Sequence, residues 1–218
     1  ENGKHTGTNQ AHMATLLTYP QVVEALPYAR PLLMLDRAET DCESGSAVGI
    51  KNVTVDEHHF PGHFPESPIM PGVLQLAAIQ QSAELLLRQA GKVRPQDDLR
   101  LVAIRRMKFR NPALPGDRLR ISVKVHEEGK EFHVRGRVET ETTGKTVSQG
   151  DAVLEIAGEL PDRMGELFSP PLRFADEISD ETTEECAEIL KDVPHRYPFV
   201  LVDRQLRFDR ENSRNLVL

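Results

Sequence analysis

The 218-residue sequence has no tryptophan, only two cysteines and no long hydrophobic segment. Its longest apolar runs, such as Leu32–Leu35 and Leu85–Leu87, are far shorter than the roughly 20 residues that cross a bilayer. The N-terminal region is polar and lacks the apolar core of a signal peptide. Cys42 and Cys186 lie far apart without metal-ligand spacing, so we interpret both as free thiols in a reducing compartment. We therefore expect a cytoplasmic protein without a membrane segment.

An excess of positive charge is also absent, because the net charge is −7. This balance argues against general nucleic-acid binding. Basic residues are nevertheless concentrated between Arg100 and Arg120, where the only acid is Asp117. The segment is either a solvated strand face or a docking patch for an acidic partner. The histidines form no helical i, i+4 pair and have no familiar ligand set around them, so we expect no metal site.

Hydrophobic periodicity predicts the order of secondary-structure elements. Residues 20–31 predict a short helix that ends at prolines, and residues 73–90 predict a helix of about five turns. Alternating apolar residues predict antiparallel strands at 32–41, 46–54, 99–110, 118–128, 131–141 and 146–157. We therefore expect an α+β fold in which an antiparallel sheet wraps around one long central helix.

An internal repeat suggests how the chain is divided. The segment "VPHRYPFVLVDR" (193–204) restates "LPYARPLLMLDR" (26–37), so that Pro194, Pro198 and Asp203 each lie 167 positions after their counterparts. A repeat at domain length indicates duplication. We expect residues 1–14 to be disordered or derived from a cloning junction and residues 15–157 to form one domain. Residues 158–183 are predicted to be a linker, and residues 184–218 the truncated start of a second copy.

The segment "HHFPGHFPESPIMPGVLQLAAIQQ" (58–81) contains the candidate catalytic residues. His63 lies in a Pro/Gly-rich loop, and histidine is the residue type best suited to act as a general base near neutral pH. Gly72 begins the long helix, so its backbone N–H is unpaired within the helix and lies at the positive end of the dipole. A base and a donor to a carbonyl oxygen are what removal of water from a 3-hydroxyacyl thioester requires.

The same segment, together with "ARPLLMLDR" and "LVAIRRMKFRNPALPGDRLRISVKV", resembles the β-hydroxyacyl-acyl carrier protein dehydratases of type II fatty acid synthesis. The resemblance extends from about Val22 to Ala157. It implies the hotdog fold, catalytic roles for His63 and Gly72, and two-fold pairing as a homodimer or pseudo-dimer. It also implies that no bound cofactor is needed beyond the phosphopantetheine of the carrier protein. The substrate-binding residues that we expect are Phe64, Pro71, Val73, Ala77 and Gln81.

One position departs from the family pattern. These enzymes carry Glu or Asp five residues after the glycine, where this sequence has Ala77, although the later glutamine, Gln81, is kept. Glu66, in the loop, is a poor replacement. The change could be engineered, could reflect a natural pairing in which another copy supplies the acid, or could mark a domain that only binds acyl chains.

Three functions therefore remain open. The first is a (3R)-hydroxyacyl-acyl carrier protein dehydratase, a lyase. The second is a non-catalytic hotdog half that completes the dimer or the acyl tunnel for a catalytic copy, and the third is a hotdog acyl thioesterase. The resemblance also implies an acidic acyl carrier protein as partner, and Arg106, Lys108 and Arg110 are our candidates for docking it.

Overall fold

The structure, a computed structural model, describes residues 14–160 and three short strands at 184–185, 204–209 and 214–217. Residues 1–13 and most of the predicted linker lie outside the described residues. So do Pro194, Pro198 and Asp203 of the sequence repeat. Within the described part of the chain, no helix is both long enough and apolar enough to span a membrane.

Residues 14–160 form a seven-stranded antiparallel sheet and two helices. The strand order is β1-β2-β3-β5-β6-β7-β4, which leaves β1 and β4 at the edges. The elements along the chain are β1 (Thr15–Leu17), α1 (Tyr19–Ala25), β2 (Arg37–Asp41), β3 (Ser46–Asn52), α2 (Gly72–Gln89), β4 (Asp97–Phe109), β5 (Arg118–Glu128), β6 (Glu131–Thr140) and β7 (Thr146–Glu159). The predicted α+β architecture is confirmed.

Helix α2 packs against the sheet and contacts the strands β2 to β7. Alternation along β5 and β6 turns their apolar residues toward the helix, as with the buried Ile121 and Val134. The helix approaches the sheet closely at two glycines: a methyl group on Gly49 would lie 2.5 Å from Ser82 Oγ, and one on Gly136 would collide with Ile79. The sheet therefore wraps around a central helix, which is the hotdog fold that the sequence predicts.

Strand β1 was not predicted, and strands β2 and β4 differ most from their predictions. Strand β2 begins at Arg37 and not near Leu32, because the buried Gln81 amide binds the backbone of the preceding segment. Strand β4 is interrupted by a β-bulge between Arg105 and Lys108, and Arg106 adopts a φ of 55° there. A bulge adds a residue to one strand and breaks the alternation of side chains.

The remaining strands form a separate three-stranded antiparallel sheet. They are β8 (Glu184–Glu185), β9 (Arg204–Asp209) and β10 (Arg214–Val217), in the order β10-β9-β8. This order matches that of β3-β2-β1. The backbone pair Glu184–Gln205 lies 167 positions after the pair Leu17–Ala38, the spacing of the sequence repeat. The β9–β10 register differs by two residues from that of β2–β3.

Candidate functional site

The His63 side chain is half-buried and its tautomer is defined by one hydrogen bond. Nδ1 lies 2.7 Å from the carbonyl oxygen of Ile69. A carbonyl oxygen can only accept, so Nδ1 carries the proton in the neutral ring and Nε2 keeps its lone pair. Backbone bonds within the loop support this arrangement: the His63 N–H donates to His59, and the Ile69 N–H donates to His63. The ring therefore carries its proton on Nδ1, and Nε2 is the basic nitrogen.

The N-terminus of α2 lies beside this loop. Pro71 is the N-cap and Gly72 is the first helical residue, so the Gly72 N–H has no acceptor within the helix. The Pro71 carbonyl accepts from Leu74 and Gln75, and these bonds fix the first turn. The aromatic ring of Phe109 lies directly against Gly72, where a methyl group would be 2.6 Å from Phe109 Cε1. The glycine therefore makes room for both the ring and the helix start.

His63 and Gly72 line the same cavity, which has a volume of about 480 Å³. Val73 and Arg110, also candidates from the sequence, line it too. The other lining residues are Ile69, Met70, Gln75, Phe109, Asn111 and Pro112. A general base and the positive end of a helix dipole therefore meet in one space that could hold a polarised carbonyl group.

The other predicted substrate-binding residues do not line this cavity. Phe64 stacks on His63, with ring centroids 4.2 Å apart, and supports the base from outside. Ala77 is partly buried and packs against the hydrophobic core. Gln81 is 2% exposed and uses both ends of its amide: Oε1 accepts from Met34 N–H at 2.8 Å, and Nε2 donates to the Leu32 carbonyl at 2.7 Å. Their contact with a substrate stays a prediction.

A buried acid lies two turns beyond Ala77 on the same helix. Glu84 is fully buried, accepts a hydrogen bond from Tyr28 Oη at 2.7 Å and pairs with Arg88 Nη2 at 2.6 Å. Burial raises the pKa of the Glu84 carboxyl, and burial together with the Glu84 charge raises the pKa of Tyr28. Because these partners already hold the carboxylate, Glu84 belongs to the packing of α2 and not to the His63 cavity.

The three candidate docking residues are not grouped on one surface. Arg110 lines the His63 cavity, whereas Arg106 lines a second cavity of about 460 Å³ on the sheet. Lys108 is exposed and lies after the bulge. The second cavity is basic, since its lining includes Arg105, Arg106, Lys124, His126, His133 and Arg135 with Asp151 as the one acid. The bulge explains the separation, because it breaks the alternation that would put all three on one face.

Among the described residues, no group of three or more histidines, cysteines or carboxylates is placed to hold a metal ion. Exposed Cys42 is a free thiol in this part of the chain, and Cys186 lies outside it.

His59, four positions before His63, is buried beside Phe60. Burial lowers the pKa of His59, and the nearby Glu57 carboxylate partly opposes this effect.

Sequence reasoning missed six residues that line the cavity, which are Ile69, Met70, Gln75, Phe109, Asn111 and Pro112. Gln75 is the one polar side chain in the otherwise apolar first two turns of α2, residues 72–79, and that contrast is a signal that could have identified it. Phe109 comes from the end of β4, 37 positions after Gly72, and only the folded chain brings the two together.

The fold is that of a hotdog protein, and His63 and Gly72 line one of its cavities. A model of the FabA-like domain family matches residues 26–151, more than half of the chain. The chain belongs to this family.

Curated relatives agree with the family match. The 3-hydroxyacyl-[acyl-carrier-protein] dehydratase FabZ of Agrobacterium fabrum is 42% identical over 136 residues, which cover 60% of this chain and 84% of the relative. The enzyme of the same name from Bartonella bacilliformis is 41% identical over 134 residues, with the same coverage.

Among solved structures, the dehydratase heterocomplex ApeI:P from Xenorhabdus doucetiae matches 51% of this chain and 88% of its own chain, at 25% identity and a TM-score of 0.40. The PaaI protein of Escherichia coli matches 51% and 76% of the two chains, at 18% identity and a TM-score of 0.42.

Proposed function

We propose that this protein is a 3-hydroxyacyl-acyl carrier protein dehydratase-like lyase that acts on (3R)-hydroxyacyl thioesters. The observation that supports this function is the single cavity lined by both His63 and Gly72. The similarity to FabZ dehydratases adds the substrate class.

In this mechanism the thioester carbonyl binds at the start of α2. The Gly72 N–H donates to the carbonyl oxygen, and the helix dipole stabilises the negative charge that develops there. This makes the proton on the α-carbon more acidic, and His63 Nε2 removes it. The hydroxyl on the β-carbon then leaves as water after it receives a proton. The products are the trans-2-enoyl thioester and one water molecule.

The proton for the leaving hydroxyl would come from the acid of the family pattern, and Ala77 replaces that acid here. Protonated His63 could return its proton to the leaving hydroxyl, or an acid could come from another hotdog unit. Ala77 packs on the core and does not line the His63 cavity of its own unit. An acidic side chain at position 77 is therefore better placed to act on the substrate of a paired hotdog unit. This supports a mechanism in which two units share their catalytic residues.

Two features of the fold support pairing. The edge strand β4 exposes Val102 and Ile104, each about half accessible, beside unpaired backbone groups. The order β8-β9-β10 repeats β1-β2-β3 at the spacing of the sequence repeat. We infer that residues 15–157 form one hotdog unit, joined by the linker 158–183 to a second that begins near residue 184. Pairing at β4, with that unit or with another chain, would make a pseudo-dimer or a homodimer.

We further propose an acyl carrier protein as partner, docked by Arg106, Lys108 and Arg110. Arg110 is the best placed of the three, because it lines the His63 cavity. Its replacement, Arg110→Glu, should raise KM for the acyl carrier protein thioester and leave KM for the matching pantetheine thioester unchanged, since only the former carries an acidic protein. Arg100→Glu is the matched control, because Arg100 is an exposed arginine at the opposite end of β4 and is not one of the three docking residues.

The function is tested by the interconversion of 3-hydroxyacyl and trans-2-enoyl acyl carrier protein, followed by absorbance, with His63→Ala as the blank. We expect turnover above this blank. We also expect Ala77→Glu to raise the rate about 10²-fold or more, as general acids do. Glu66→Gln should leave the rate unchanged, because Glu66 in the loop is a poor replacement for the acid.

Other outcomes identify the alternatives. Equal rates for the protein and the blank, with turnover appearing only in Ala77→Glu, would show a non-catalytic half in which the acid has been lost. Release of free acid and free thiol without an enoyl product would show a thioesterase.

A further inference from the structure

We propose that Gln75 is a specificity-determining residue of the His63 cavity and that its Oε1 accepts a hydrogen bond from the β-hydroxyl of the substrate. This inference rests on the proposed function, because it names the group that distinguishes a 3-hydroxyacyl thioester from its saturated counterpart at the same site.

The amide of Gln75 has one end bonded and one end without a partner. Its Nε2 donates to the Met70 carbonyl at 3.3 Å. Oε1 is inaccessible to solvent and has no hydrogen-bond partner within the described part of the chain. The orientation of the amide is determined by Met70, since the opposite orientation would place two acceptor oxygens against each other. The atom without a partner is therefore the amide oxygen, which can only accept a hydrogen bond.

A buried acceptor of this kind is costly to leave unsatisfied. Gln75 is 3% exposed and lies in the first turn of α2, where the other inward side chains are apolar. Two members of the same cavity lining, His63 and Gly72, are the residues to which we assign the base and the carbonyl donor. A ligand group bound in this cavity is a candidate donor for the Gln75 oxygen.

The chemistry of the substrate limits what that donor can be. Around the reacting carbons, the acyl part of a 3-hydroxyacyl thioester has one hydrogen-bond donor, the β-hydroxyl. The carbonyl oxygen is an acceptor and is assigned to the Gly72 N–H. The β-hydroxyl, two carbons away, is thus the group that satisfies Oε1. Saturated and enoyl thioesters lack this donor and would leave Oε1 unsatisfied.

This role predicts a particular division between kcat and KM. In Gln75→Met, which removes the amide but keeps a side chain of similar length, KM for the 3-hydroxyacyl thioester should rise about fivefold with kcat unchanged. In the reverse hydration, KM for the enoyl thioester should stay the same and kcat should fall by the same factor. The two changes keep the reaction equilibrium unaltered, as they must.

Equilibrium binding tests the role without turnover. In a His63→Ala background, calorimetry compares a 3-hydroxyacyl pantetheine thioester with the saturated thioester of the same length. We expect the hydroxylated ligand to bind about fivefold more tightly, and Gln75→Met to abolish this preference. Gln80→Met, on the same helix but outside the cavity lining, should keep it. Thermal unfolding of each variant confirms that it is folded.

The outcomes separate this proposal from the function on which it rests. A preference for the hydroxylated ligand that Gln75→Met abolishes, in a protein without dehydratase turnover, would sustain the role of Gln75 and reject catalysis. Turnover without that preference, or a preference that survives in Gln75→Met, would overturn the role of Gln75 alone. If neither thioester binds, both proposals are overturned.

Discussion

The ring of Phe109 lies on the α-carbon of Gly72, so that a methyl group at this position would be 2.6 Å from Cε1 of the ring. Gly72→Ala should therefore displace the ring and fill the space through which a thioester carbonyl reaches the Gly72 N–H. We expect kcat/KM to fall about 10²-fold, the size of effect seen when a carbonyl donor is lost. The stability cost should be small, because Phe109 is 56% exposed and can rotate.

The double variant Gly72→Ala/Phe109→Ala separates these two effects. If the methyl group acts on the substrate, stability should return to that of Phe109→Ala alone while activity stays low. Recovery of activity in the double variant would show that the displaced ring, and not the methyl group, blocks the site.

The buried ion pair Glu84–Arg88 should be important for stability. Their side chains are 1% and 6% exposed, and the Glu84 carboxylate also accepts from Tyr28. Glu84→Ala leaves a buried guanidinium without its carboxylate, and we expect a loss of about 3–5 kcal/mol in the free energy of unfolding. Urea denaturation measures this loss. Glu127→Ala is the control: its pair with Lys92 is about half exposed and should contribute no more than about 1 kcal/mol.

The buried His59 should make stability depend on pH. Its pKa in the folded protein is lowered by burial, so the unfolded chain binds the proton more readily. The free energy of unfolding should therefore fall as the pH drops below about 6.5, by up to about 1.4 kcal/mol per pH unit for this one group. His59→Gln should reduce the slope between pH 7 and 5. The exposed neighbour is the control, and an equal reduction in His58→Gln would contradict the assignment.

The close contact between α2 and the sheet at Gly136 gives a packing prediction. A methyl group there would collide with Ile79 Cγ1, Cγ2 and Cδ1. We expect Gly136→Ala to lower the free energy of unfolding by about 1–3 kcal/mol through overpacking. In an Ile79→Ala background, which removes all three carbons, the same change should cost little. If Gly136→Ala lowers the free energy of unfolding equally in both backgrounds, the strain does not come from contact with Ile79.

Local sequence patterns predicted most of the fold. Helix α2 differs from its prediction by one residue at each end, because Pro71 and Gly91 bracket a clear apolar pattern. Strand β5 agrees at both ends, since its alternation is regular. Strand β1, with three residues, is too short to show a period. Strand β2 is shorter than predicted because Gln81, some 47 positions later, binds the segment before it. No local sequence pattern indicates this contact.

The site was predictable in part for the same reason. His63 and Gly72 lie within one short motif whose chemistry can be interpreted residue by residue. Phe109 reaches the cavity from another strand, and the orientation of His63 depends on a bond to the Ile69 backbone. The missing hydrogen-bond partner of Gln75 Oε1 can be recognised only in the folded structure, where the neighbours of the amide are known.

The open edge of β4 has a consequence for handling the protein at high concentration. A long edge strand with exposed Val102 and Ile104 is a template that does not distinguish one incoming strand from another. Whatever binds there in the native assembly also protects the chain from aggregation. The adjacent cations Arg105 and Lys108 would repel identical edges, and this repulsion weakens as salt rises. Solubility in the unpaired state should therefore decrease with ionic strength.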